Sequence, residues 1–91
     1  MTPEGKLQAK IIKHLEKDGF KCIKMIKTSK NWIPDLLVRQ WGGKIFWIEV
    51  KTETWRTSPL QDFVIKELRK DGDIVLIPYW WDQFLEQYNL I

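Results

Sequence analysis

Two runs of β-branched, aromatic and aliphatic residues, Ile33 to Gln40 and Ile45 to Thr52, flank Trp41-Gly42-Gly43-Lys44, a pattern that admits little except a β-hairpin. Three charged side chains, Asp35, Glu49 and Lys51, lie within or at the ends of those runs. Burying an unpaired charge costs roughly several kcal/mol or more, so these three either reach solvent at a sheet edge or have partners.

Their spacing favours partners. Side chains two apart in a strand share a face, so Glu49 and Lys51 point the same way and Val50 the other. Asp35 joins them only if the loop has an odd number of residues. A two-residue Gly42-Gly43 loop pairs Trp41 with Lys44, hence Asp35 with Val50, and puts Asp35 on the wrong face. A three-residue Trp41-Gly42-Gly43 loop, with a glycine at a left-handed bulge position, pairs Gln40 with Lys44 and sets Asp35 opposite Glu49. A shared function for the three charges therefore predicts the odd loop.

Two adjacent carboxylates repel at neutral pH unless a cation lies between them. Mg²⁺ prefers all-oxygen ligation, with one or two protein carboxylates plus water and substrate phosphate. A neighbouring lysine orients an attacking water or balances negative charge in the transition state. The combination suits metal-assisted phosphodiester hydrolysis. In order, Pro34-Asp35 followed by Glu49-Val50-Lys51 resembles the signature of the PD-(D/E)XK nuclease superfamily. With Glu4 in an early helix and Ser58-Pro59-Leu60-Gln61 opening a later one, the closer resemblance is to its VRR-NUC (virus-type replication-repair nuclease) family. The resemblance runs from Glu4 to about Leu76. It departs at Asn31-Trp32-Ile33, where that family commonly has a glycine shortly before Pro-Asp.

The rest of the chain supplies the frame. Thr2 as N-cap and Pro3 at the first helical position predict a helix from Pro3 to Lys17, in which Glu4 shares the azimuth of Ile11 and Leu15. From position alone Glu4 is equally a first-turn acid favoured by the helix dipole. His14 falls off the apolar stripe and reads as a surface residue. Asp18-Gly19 ends the helix, and Phe20 to Lys27 reads as a first strand with Cys22 as a small buried hydrophobe. Lys21, Lys24, Lys27 and Lys30 read either as solvated charges or, within Lys27-Thr28-Ser29-Lys30-Asn31-Trp32, as a phosphate-contacting loop in which Trp32 stacks on a base. Trp55 and Arg56 are a second such pair, or Trp55 packs under its loop.

Ser58-Pro59-Leu60-Gln61 is a capping box, which accounts for Gln61 without catalysis. The helix it opens continues to Lys70 and stops at Asp71-Gly72. Asp73 to Ile77 carries an uninterrupted apolar run that predicts a strand covered on both faces, closed by Pro78. Tyr79 to Tyr88 reads as a terminal helix whose aromatic stripe belongs to the core or to an interface.

The elements α, β, β, β, α, β, α predict a single α/β domain over 1–91. By the resemblance it is a restriction-endonuclease-like αβββαβ core with a small mixed sheet flanked by helices. Ninety-one residues allow only a limited core, and six Trp and four Phe exceed what such an interior readily hides, so an interface or nucleic-acid surface is expected. A net charge of +3 permits nucleic acid without demanding it. One cysteine excludes an internal disulfide, and no apolar run reaches the roughly 20 residues of a membrane span or forms a signal peptide. The expected compartment is the cytoplasm of a bacterium or phage-infected cell. No glycine-rich phosphate loop or small-molecule cofactor motif is present.

The resemblance implies a divalent-metal-dependent deoxyribonuclease. Asp35 and Glu49 bind Mg²⁺ or Mn²⁺, the Val50 carbonyl adds an oxygen, Lys51 orients the hydroxide, and Glu4 and Gln61 support them. Lys27, Ser29, Lys30, Trp32, Trp55 and Arg56 contact DNA. It also implies a homodimer cutting Holliday junctions or other branched DNA in repair. The alternative is a non-catalytic nucleic-acid-binding or assembly module in which the three charges form a structural ion-pair cluster.

Overall fold

The computed structural model describes residues 2–25, 33–52 and 58–91. Helix α1, Pro3–Lys17, begins where the Thr2 hydroxyl accepts the Gly5 N–H at 3.0 Å. It buries Leu7, Ile11 and Leu15 along one stripe. Four strands follow the expected order, β1 (Lys21–Lys24), β2 (Leu36–Arg39), β3 (Ile45–Ile48) and β4 (Ile74–Leu76), with helix α2 (Pro59–Lys70) between the last two and α3 (Trp81–Asn89) at the end. The sheet order is β1-β2-β3-β4. The first three strands are antiparallel neighbours, and β4 joins β3 in parallel, the pairing that a helical crossover such as α2 permits.

The β2–β3 register is the one that three charges on one face require. Leu36 pairs with Ile48 and Arg39 with Ile45. The Gln40 N–H donates to the Lys44 carbonyl at 2.9 Å, leaving Trp41, Gly42 and Gly43 as a three-residue loop. Gly43 N–H donates back to the Gln40 carbonyl at 3.0 Å, and Gly42 has φ +67°, where an L side chain costs about 1–2 kcal/mol.

Alternation then sorts the strands into two faces. Leu36, Val38, Phe46, Ile48 and Val50 pack with Leu7, Ile11 and Leu15 of α1, with Phe20, and with Phe84 of α3. Burying each of the larger side chains contributes roughly 1.5–3 kcal/mol. On the other face, among the described elements, α2 packs on β4 alone and buries Ile65.

Several details differ from the expectations. Strand β1 starts after Phe20, which turns into the core instead. Strand β4 has three residues: Leu76 joins the core cluster, Val75 is buried as well, and Ile74 stays 37% exposed. His14 is half-buried, edge-on to Trp81, Phe84 and Tyr88 at 5.4, 5.9 and 5.7 Å between centroids. The reason is that α3 packs on α1 beside the apolar stripe. The same packing directs Phe84, Tyr88 and Trp81 into or against the core, so the terminal aromatic stripe is packing. Cys22 is half-buried in β1, with its thiol pushed up to about 11 by burial and then by the charge of Glu16. It is a poor nucleophile.

Candidate active site

The ladder does not stop at the ends of the strands. Glu49 N–H donates to the Leu76 carbonyl at 2.9 Å and Lys51 N–H to the Pro78 carbonyl at 3.0 Å, so β3 stays extended through the charged residues. On the other side, Met25 N–H donates to the Asp35 carbonyl at 2.9 Å. These bonds fix the backbone of Asp35, Glu49 and Lys51 before any side chain is considered.

Asp35 and Glu49 face each other, and each accepts a main-chain hydrogen bond from the opposing segment. Asp35 N–H donates to Glu49 Oε1 at 3.2 Å, and Val50 N–H donates to Asp35 Oδ2 at 3.1 Å. Glu49 Oε2 lies 3.2 Å from Lys51 Nζ. Glu49 is 3% exposed and Gln61 8%, while Lys51 is half-buried. The Gln61 side chain is near enough to the Glu49 carboxylate to favour its charge, while the Gln61 backbone N–H donates to Ser58 Oγ at 3.1 Å. The N-cap is therefore real, yet it uses only the backbone of Gln61 and leaves the amide to the site.

Burial of this cluster opposes charge. The Glu49 carboxyl is pushed up to about 7, by burial first and then by Asp35, with Lys51 and Gln61 acting the other way. Asp35 is also raised, chiefly by burial, against the Val50 N–H bond, Lys51 and its hydrogen bond with Glu49. Among the described residues no three His, Cys, Asp or Glu side chains form a ligand cluster, so the acidic donors here are two carboxylates. Two carboxylates disposed toward protonation, with oxygen-only donors, fit a hard divalent cation that takes its remaining ligands from backbone, water and phosphate.

Of the residues singled out in the sequence, Asp35, Glu49, Val50, Lys51 and Gln61 thus come together. Glu4 is half-buried in the first turn of α1, on the helix that covers the opposite face of the sheet, and no hydrogen bond or ion pair among the described residues joins it to the cluster. Lys27, Ser29, Lys30, Trp32, Trp55 and Arg56 lie outside the described residues. The N–H groups of Asp35 and Val50 were not legible as part of the site. The only available signal was the odd loop, which places each of them against the opposing carboxylate.

Sheet order, element order and this cluster define an α/β domain of the restriction-endonuclease-like class. No family model and no curated protein sequence matches the chain. A solved structure described as a VRR_NUC domain is similar over 98% of this chain and 97% of its own, with a TM-score of 0.89 and 28% sequence identity. The chain has the VRR-NUC fold over nearly its whole length. The family is one of nucleases.

Proposed function

We propose that the protein is a divalent-metal-dependent endonuclease that hydrolyses DNA phosphodiester bonds, acting on Holliday junctions or other branched DNA. The observation that carries this reading is the apposition of Asp35 and Glu49 across the hairpin, with Lys51 and Gln61 at the same carboxylate. Asp35 and Glu49 would hold Mg²⁺ or Mn²⁺. The carbonyl of Val50 would join them, because its N–H already faces Asp35 and the two main-chain groups of a strand residue share a direction. When bound, the ion supplies Lewis-acid polarisation of the phosphate.

The chain's own groups do the rest. The Lys51 ammonium, tethered at Glu49, holds and orients the attacking water and balances charge that develops on the phosphate. Gln61 keeps the Glu49 carboxylate in place through its amide, a positioning role. No histidine or serine acts as nucleophile. Two copies of so small a domain would present two such centres to two strands of a branch, so a homodimer is the expected working form.

The test is cleavage of labelled four-way junction, flap, linear duplex and single-stranded DNA with Mg²⁺, Mn²⁺ or EDTA. Metal-dependent cuts should fall at least about 100-fold in Lys51→Ala and Asp35→Ala, as is usual when a group that acts in the transition state is removed. Full cleavage by Lys51→Ala would refute the assignment. Metal-insensitive binding without cutting, unchanged in Glu49→Gln, would make the cluster a structural ion pair in a binding module.

A further inference from the structure

The sheet face that carries Asp35 and Glu49 continues past α2 toward the hairpin tip, where it is open. Trp41 is 94% exposed there, more than any other large apolar side chain among the described residues. A single exposed tryptophan is unremarkable in itself, since scattered surface hydrophobes are common. Its setting is less ordinary. Trp41 lines a depression of about 330 Å³ with Gly19, Lys21, Ile23 and Arg39, and no carboxylate lines it among the described residues.

Lys21 and Arg39 are direct partners across β1 and β2. Like charges directly opposite one another disfavour a strand pair, a repulsion that a bound anion would offset. Alternation puts Arg39 on the same face as Asp35, four residues away, or roughly 13 Å along the strand. That is about four base steps at ~3.4 Å each. The tip is also braced from behind: the Gln40 side chain occupies the space beside Gly43, where an added Cβ would come within 2.6 Å of Gln40 Oε1. A braced tip loses little freedom on binding.

We infer that Trp41, Arg39 and Lys21 form a second nucleic-acid contact, in which the two cations hold a backbone phosphate and the indole stacks on an unpaired base about four nucleotides from the Asp35–Glu49 centre. The position of the cut strand rests on the nuclease reading above; the contact itself does not. A second copy of the chain suits this patch poorly, because a twofold contact centred on it would bring Lys21 and Arg39 against the same cations of the other copy. DNA with a branch or an unpaired arm has both features the patch matches, a polyanionic backbone and an unstacked base.

The test is fluorescence anisotropy in EDTA, which separates binding from cutting, on labelled forked DNA and on the fully paired duplex. Trp41→Ala is expected to weaken binding to forked DNA about ten-fold and to the duplex far less, and Trp41→Phe to restore most of the loss. Lys21→Gln combined with Arg39→Gln should flatten the salt dependence by about one phosphate contact's worth of slope. Affinity of Trp41→Ala for forked DNA within two-fold of wild type would overturn the inference. So would sedimentation showing that Trp41→Ala converts a dimer to a monomer, which would assign the patch to a second copy. Failure of the nuclease reading appears separately, as persistence of cleavage in Lys51→Ala.

Discussion

Replacing Glu49 by Gln removes the group whose protonation is most disturbed by the fold and leaves its shape nearly unchanged. In the folded protein the Glu49 carboxyl sits at about 7, against an ordinary value of 4.5, because burial and Asp35 disfavour its charge more than Lys51 and Gln61 favour it. A carboxyl raised on folding makes the native state bind the extra proton. Its contribution to stability is therefore fully present below about pH 4.5 and is lost as pH rises through about 7. The difference between the two values corresponds to a contribution on the order of 3 kcal/mol. Asp35, raised in the same direction, adds to the trend.

The assay is thermal unfolding in EDTA from pH 5 to pH 8.5. Wild type should lose melting temperature mainly between pH 5 and about 7 and level off above it, at about 4–8 °C per kcal/mol for a domain of this size, whereas Glu49→Gln should lose much less. The two proteins should lie close together at pH 5, and the variant should be the more stable at pH 8.5. Adding Mg²⁺ should reverse the order at high pH, since only the ionised carboxylate binds the metal and ligand binding stabilises the native state. Parallel pH curves for the two proteins in EDTA would refute the reasoning, by showing that Glu49 ionises in the folded protein as readily as in the unfolded chain.

Two further outcomes separate structure from chemistry. Ser58→Ala should cost about 1 kcal/mol of stability through loss of the α2 cap, measured by chemical unfolding, and leave metal-dependent cleavage largely intact; Gln61→Leu should keep the backbone bond to Ser58 but lower the cleavage rate and move the pH transition of Glu49 upward. Phe84→Ala should cost about 3–5 kcal/mol by the same measurement, because Phe84 is fully buried and stacked on Tyr88 with 5.5 Å between centroids.

The helix boundaries were legible because local rules decide them. Thr2-Pro3 and Ser58-Pro59 cap and start α1 and α2, and Gly19 and Gly72 follow their ends with φ +90° and +98°, values that glycine adopts without strain. The paired carboxylates were legible in part, for a similar reason. Loop parity decides whether Asp35 faces Glu49; the sequence limited the choice to a two- or a three-residue loop, and the Gln40–Lys44 pairing seen in the structure selects the odd one.

Other features depend on neighbours that no local pattern names. His14 reads as a surface residue on α1 until α3 packs beside it, and Gln61 reads as half of a capping box until β3 brings Glu49 to its amide. The reach of Glu49 toward neutrality depends on burial and on charges from two strands, neither of which sequence spacing measures. The open face at Trp41 emerges only once β1 sets Lys21 against Arg39 while α2 lies over β4 and leaves the hairpin end of the sheet uncovered. Periodicity and capping act over a few residues and can be read along the chain; burial, pKa and surface continuity arise from segments distant in sequence, and only their packing decides them.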